Sequence, residues 1–360
     1  MSRGFDGERR RFVRNAAATV AAGRLGVVGA VMQQLGCDAQ AAERSMPSLG
    51  GATGWVNSPG LTAAGLRGRV VLVQFCTYTC INWLRTLPYV RAWAARYTPL
   101  GLVVIGVHSP EFEFEKDPAL VRPALAELRV DYPVALDDDH GVWNEFRNRY
   151  WPALYFVDAR GGVRHQHFGE GEYDRSERRI QRLLAEAGTS GAGGDPVRVE
   201  GSGVELGADW GSLRSPETYL GHDRADGFAS PGGLAPDERR AYAIPAGLRL
   251  NRFALAGEWT VGRQAALAGP GGRVACVFHA RDLHLVMGAA RRGNPVRFRV
   301  RLDGAPPGAA HGLDVDERGE GVAAAPRLYQ LVRQPGRIAE RRFEIEFPDG
   351  GAEAFAFTFG

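Results

Sequence analysis

The sequence contains one lysine, Lys116, so nearly all of its 44 basic residues are arginine. The formal net charge is only +3, and no basic stripe interleaved with aromatics stands out. The footprint of nucleic-acid binding is therefore missing, and the arginine bias, with abundant alanine and glycine, fits a GC-rich genome. Cysteine is equally scarce: four in 360 residues, too few for a disulfide scaffold. The Ala/Gly-rich segment from Ala16 to Met32 is interrupted by Arg24 and falls short of the roughly 20 apolar residues that span a bilayer. What remains is 44% hydrophobic and 24% charged, the balance of a soluble globular protein. The length suits one large domain or two ordinary ones.

The most informative stretch is Val70–Pro88, VVLVQFCTYTCINWLRTLP. The apolar run Val70–Phe75 has strand character, and a helix-like segment starts at Ile81. Leu84, Leu87, Val90, Trp93 and Tyr97 recur at helical spacing, with Pro88 as an expected kink. Cys80 then sits where a strand hands over to a helix. A helix N-terminus carries unpaired N–H groups and a partial positive charge, and both stabilise the reactive thiolate. Leu102–Val107 reads as a buried parallel strand. Pro118–Leu128 reads as a helix, Tyr132–Leu136 as a strand and Gly141–Asn148 as a short helix. Pro152 precedes an apolar strand, Val163–Phe168 returns after Gly161-Gly162, and Ser176–Ala187 closes as a helix. Apart from the short strand Tyr132–Leu136 and the short helix Gly141–Asn148, the expected order β-α-β-α-β-β-α is that of a thioredoxin-like α/β fold.

Three segments carry a family resemblance: VVLVQFCTYTCINWLRTLPYVRAW, GLVVIGVHSPEFEFEK, and YWPALYFVD with HFGEGEY. They resemble the redoxin domains of the TlpA/DipZ group. The resemblance implies a thiol redox centre at Cys80, faced by Pro152 in the cis form. The chain departs from the C-x-x-C pattern, because Cys80-Ile81-Asn82-Trp83 places Trp83 where the resolving thiol would stand. The other cysteine, Cys76, lies four residues upstream. A disulfide needs Cα atoms about 4.4–6.8 Å apart, so Cys76 and Cys80 can pair only if Thr77–Thr79 curl into a turn.

Three activities fit these residues. A thiol–disulfide oxidoreductase would use Cys80 as nucleophile and Cys76 as resolving thiol, with Thr77, Asn82, Trp83 and Pro152 supporting the site. Its partners would be protein thiols or disulfides, with a separate membrane or extracytoplasmic reductant. A peroxide-reducing redoxin would use Thr77, three residues before Cys80, to bond the sulfur, although Val73 holds the place of the usual proline. A non-catalytic redoxin-fold binding protein would bury Cys80. None of the three calls for a cofactor or a metal ion.

Other polar groups have plainer readings. His165, His167 and Glu170 lack a confirming metal spacing and read as surface strand residues. Glu111, Glu113 and Glu115 alternate with Phe112 and Phe114 and read as a solvated acidic face, or alternatively as a rim that receives a partner. Asp137-Asp138-Asp139-His140 reads as a turn and helix cap, and Cys276 as a buried core thiol.

After the tether Gly188–Gly194 (GTSGAGG), the pattern changes to period two. Val296, Phe298, Val300 and Leu302 alternate with arginines; Phe343, Ile345 and Phe347 alternate with glutamates; Phe355, Phe357 and Phe359 alternate at the C-terminal end. Residues 213–221 (LRSPETYLG), 255–262 (LAGEWTVG), 278–288 (FHARDLHLVMG) and 327–334 (RLYQLVRQ) resemble the C-terminal extension of DipZ-type proteins, a jelly-roll-like sandwich compared with carbohydrate-binding modules. Carbohydrate is thus a candidate ligand of this half, but Trp259, Tyr219 and Tyr329 read better as core. Asp314, Asp316 and Glu317 lack EF-hand spacing and read as a polar loop. A further expectation is that the sandwich docks on the redoxin unit and shapes access to Cys80.

The N-terminal stretch 8–14, Glu-Arg-Arg-Arg-Phe-Val-Arg, resembles a twin-arginine export signal through Arg9-Arg10, Phe12 and Val13. Ala39-Gln40-Ala41 offers a cleavage site, and Gly36-Cys37 a weaker lipoprotein site. The expected organisation is an export signal over 1–41, a redoxin domain over 48–188, a linker over 189–204 and an all-β jelly-roll-like sandwich over 205–360. The expected compartment is extracytoplasmic and permits disulfides.

Overall fold

The computed structural model describes residues 44–360, so the twin-arginine stretch, Cys37 and the cleavage site lie outside the described residues. The first unit contains strands β1 (Arg44–Ser45), β2 (Gly54–Val56) and β3 (Val70–Cys76), then helix α1 (Ile81–Tyr97). It continues through β4 (Leu102–His108), α2 (Pro118–Glu127), β5 (Val134–Leu136), α3 (Gly141–Glu145), β6 (Ala153–Val157), β7 (Gly162–Phe168) and α4 (Tyr173–Glu186). The strands form one sheet in the order β1-β7-β6-β3-β4-β5-β2. Central β3 is parallel to β4 and antiparallel to β6. This is a thioredoxin-like fold.

Both faces of β3 are covered, which is why it reads as a continuous apolar run. Val70, Leu72 and Cys76 face Trp83, Leu84, Leu87 and Trp93 of α1. Val71, Val73 and Phe75 face Trp143, Phe146 and Tyr155 on the opposite side. Pro88 lies inside α1. The closing helix α4 begins at Tyr173, three residues earlier than its apolar spacing suggests, and Tyr173 stacks on Tyr89 of α1.

The second unit is all-β: β8 (Thr218–Tyr219), β9 (Arg239–Tyr242), β10 (Phe253–Val261), β11 (Ala266–Ala268), β12 (Gly272–His279), β13 (Asp282–Ala289), β14 (Val296–Leu302), β15 (Glu320–Ala323), β16 (Arg327–Arg333), β17 (Glu340–Phe347) and β18 (Ala352–Phe359). One layer runs β15-β14-β17-β12-β10 and the other β10-β11-β18-β13-β16. Strand β10 serves both: Phe253–Ala256 pair with β12, and Gly257–Val261 with β9 and β11. The corner falls at Gly257, whose φ of 79° favours a residue without Cβ. The result is a curled β-sandwich around Trp259, Phe278, Phe343 and Phe357.

The expected alternation holds on β14 and fails on β18. Between Val286 and Met287 the pairing slips from Ala356 to Ala354, leaving Phe355 as the extra residue of a β-bulge. Phe357 and Phe359 therefore stay in the sandwich core, while Phe355 turns outward onto the redoxin unit. There it meets Phe112 and Phe114, with ring centroids 5.1 and 4.7 Å away. Val286, Leu328 and Ala356 join the same apolar cluster as the core of α1.

This docking corrects the solvated reading of the acidic loop. Glu113 stays exposed, but Glu115 is fully buried and the Glu111 side chain is 5% exposed. Tyr219 and Arg224 of the sandwich donate to Glu111 Oε1 at 2.7 and 2.9 Å. Gln264 Oε1 accepts the Glu113 N–H at 2.8 Å, and Arg292 pairs with Asp117. The loop receives a partner, and the partner is the chain's own second domain.

Candidate active site

Strand β3 ends at Cys76, and the chain turns at once into α1. The Cys80 N–H donates to Thr77 O at 3.1 Å, so Thr77–Cys80 is a tight turn. Cys80 is the N-cap residue of α1, with φ −77° and ψ 110°, and its carbonyl accepts the Leu84 N–H at 3.0 Å. Its thiol is thus set at the end of the helix where the free N–H groups and the positive pole lie. Cys80 is 8% exposed and Cys76 1%. Cys80 Sγ lies 4.0 Å from Trp151 O, and the Trp151–Pro152 peptide is cis.

Cys76 Sγ donates to Val107 O at 3.3 Å. Burial pushes its thiol well above the usual range, and the charges of Cys80 and Glu115 push the same way. Cys76 and Cys80 belong to the same buried cluster as the core of α1, and among the described residues all three cysteines are thiols.

The supporting residues fall into distinct places. Trp83 is fully buried and its indole N–H has no hydrogen-bond partner. Thr77 is buried, and its hydroxyl makes no well-formed hydrogen bond to Cys80 or to any other group; what polar influence it has falls on the Glu115 carboxyl. Asn82 is exposed on the first turn of α1. Trp151, beside Pro152, donates its indole N–H to Ser109 O at 3.0 Å.

Three further residues shape the site. The Tyr78 ring, at the tip of the turn, stacks on His108 at 5.8 Å, and its hydroxyl donates to Pro326 O of the sandwich at 3.1 Å. Glu115 accepts from Thr79 Oγ1 at 2.6 Å and from the N–H groups of Glu111 and Phe112 at 2.6 and 2.9 Å. Burial still raises its carboxyl above the ordinary value. Pairing the two apolar runs in parallel would have set His108 opposite Cys76, but nothing local marks either Tyr78 or His108.

The other candidates take structural roles. Arg85 and Glu170 form a buried ion pair at 3.3 Å, and burial raises Glu170 to about 7 against the pull of Arg85. His165 and His167 are half-buried rather than on the surface. No group of three or more potential metal ligands occurs among the described residues. Asp137 caps α3 by accepting the Val142 and Trp143 N–H groups at 2.7 and 3.0 Å. Asp314 accepts from Arg327 and from the Gln330 N–H, and Cys276 is buried. Trp259 and Tyr329 are core residues, and the Tyr219 ring is covered by Arg224 at 3.6 Å.

Residues 215–360 match the family described as Thioredoxin like C-terminal domain. Protein DipZ of Mycobacterium tuberculosis is 36% identical over 345 residues, which cover 93% of this chain and 46% of that protein. The chain thus spans about half the length of that relative. Thiol-disulfide oxidoreductase YkuV of Bacillus subtilis is 30% identical over 141 residues, covering 39% of this chain and 95% of YkuV. A solution structure of a thioredoxin-like protein in the oxidized form is 32% identical, covering 40% of this chain and 97% of that one, with a TM-score of 0.37.

Proposed function

Because this chain belongs to the TlpA/DipZ-like redoxins, we propose that it is an exported thiol–disulfide oxidoreductase in which Cys80 attacks and Cys76 resolves. The position of Cys80 carries this reading: it is the N-cap residue of α1, facing the Trp151 carbonyl next to Pro152. The Cys80 thiolate attacks one sulfur of a partner disulfide, and the other partner sulfur leaves as a thiolate. Cys76, as a thiolate, then attacks Cys80 Sγ and expels the second partner sulfur. The protein ends with a Cys76–Cys80 disulfide, the partner with two thiols, and two electrons have moved. The turn at Thr77–Cys80 supports this pairing by folding the segment between the cysteines back on itself. A separate reductant restores the dithiol. Peroxide reduction draws no support from Thr77, whose hydroxyl makes no hydrogen bond to Cys80.

The test is trapping of a mixed disulfide with a scrambled protein substrate. Cys76→Ser accumulates the adduct and Cys80→Ser forms none; an adduct through Cys76 in Cys80→Ser would reverse the roles. Export through Arg9-Arg10 predicts that replacing both by lysine holds the protein in the cytoplasm on cell fractionation. Secretion at the native level would overturn that part of the reading.

A further inference from the structure

His108 is fully buried, and neither of its ring nitrogens has a hydrogen-bond partner. Burying a bare imidazole is costly, and buried polar groups are nearly always paired. Packing against Tyr78 would be served as well by phenylalanine. The position has a more specific property: His108 is the register partner of Cys76 in the parallel pair β3–β4. Paired residues on neighbouring strands share a face, with the strands about 4.8 Å apart. The two residues therefore share the α1 side of the sheet at the carboxyl ends of adjacent strands, and in the reduced state the Cys76 S–H points to Val107 O, so it must turn from that carbonyl to reach the imidazole.

We infer that His108 is the proton acceptor for Cys76 in the resolving step. The inference rests on the reading of Cys76 as the resolving thiol. Cys76 must lose its proton in a place where burial, Cys80 and Glu115 all oppose a thiolate. The groups around His108 leave it free for that task. Tyr78 lies against its ring, Leu136 is its neighbour on β5, and the Asp137 carboxylate is turned to Ser109 and α3. Burial holds the imidazole neutral, with its protonation lowered to about 4. Glu115 is the other candidate base, but both its oxygens hold the loop through Thr79 and two backbone N–H groups. In the step, the Cys76 S–H proton passes to a ring nitrogen and the S–H electron pair forms the bond to Cys80 Sγ. The bond from Cys80 to the partner sulfur breaks, and that sulfur leaves with its electron pair. The imidazolium then gives its proton to the departing thiolate or to water.

The experiment is single-turnover reaction of the reduced chain, carrying Cys37→Ser so that no fourth thiol reports, with the chromogenic disulfide dithiobis-nitrobenzoate. The first equivalent of chromophore reports attack by Cys80 and the second reports resolution by Cys76. His108→Phe keeps an aromatic ring on Tyr78 and His108→Gln keeps polarity, so a folded protein from either is sufficient. The first phase is expected at the native rate. The second slows about a hundredfold, the usual scale of a lost general base, and rises with hydroxide throughout instead of levelling off. A native second phase with a native pH profile in a folded variant overturns the role of His108 and leaves the Cys76 reading standing. Release of one equivalent by the native chain overturns both.

Discussion

Phe355 of the sandwich lies edge-on to Phe114 of the redoxin loop, with ring centroids 4.7 Å apart and planes at 66°. Phe355 reaches that ring because it is the extra residue of a β-bulge, and it is 5% exposed. Truncating a buried phenylalanine costs about 3–5 kcal/mol. Phe355→Ala is therefore expected to lower the denaturant midpoint and to speed alkylation of Cys76. Denaturation curves and mass mapping of the labelled thiols check this; unchanged labelling would mean that the sandwich does not guard the site.

Trp83 fills the position three residues after Cys80, where a C-x-x-C pair would have its second thiol. Trp83→Cys is expected to form a disulfide between Cys80 and the introduced thiol on mild oxidation, at a cost of about 3–5 kcal/mol for the cavity. Peptide mapping of the oxidised variant checks the connectivity. A Cys76–Cys80 bridge in its place would show that the first turn of α1 cannot accommodate the ordinary pair.

Glu115→Gln can keep an oxygen on the Glu111 and Phe112 N–H groups, but its NH2 then faces the Thr79 hydroxyl, whose own proton loses the acceptor it has in the carboxylate. A buried donor left unmatched costs about 1–3 kcal/mol, so the variant is expected to lose stability of that order. Its missing negative charge also removes one of the influences that raise the Cys76 thiol. The pH midpoint for Cys76 alkylation should therefore move down, and an unmoved midpoint would show that Glu115 is not felt there.

His108 gives an acid-stability prediction of definite sign. The unfolded chain protonates this histidine near its ordinary value of about 6.5, whereas the folded chain resists until about 4. Stability is thus complete above pH ~6.5 and falls as pH drops toward 4, by up to about 3 kcal/mol. His108→Phe should lose less stability than the native chain over that interval. Chemical denaturation at a series of pH values checks this, and parallel curves would contradict it.

The fold is legible where side-chain burial is decided locally. Val70–Phe75 and Leu102–Val107 announce themselves because central strands need apolar residues on both faces. Leu84 to Tyr97 do so because one helix face packs inward. Phe355 reads onto the wrong face because the slip that turns it out is set by pairing with β13, which period-two counting cannot see. Glu111 and Glu115 look solvated because acidic residues in a loop usually are; the residues that cover the loop, Tyr219, Arg224 and Phe355, lie about a hundred residues or more away in sequence. At the site, Cys80 is visible from the strand-to-helix handover. His108 is not, because its importance comes from lying across from Cys76 in a neighbouring strand.

The hydrogen bond from Tyr78 to Pro326 has a mechanical meaning. Tyr78 is the middle residue of the segment between the two cysteines, and its hydroxyl is moored on another domain. The sandwich and the thiols are then like the two ends of one lever. A shift of the sandwich tugs on the turn between Cys76 and Cys80, and a disulfide closed between the two, as proposed, would pull back on the sandwich with equal force.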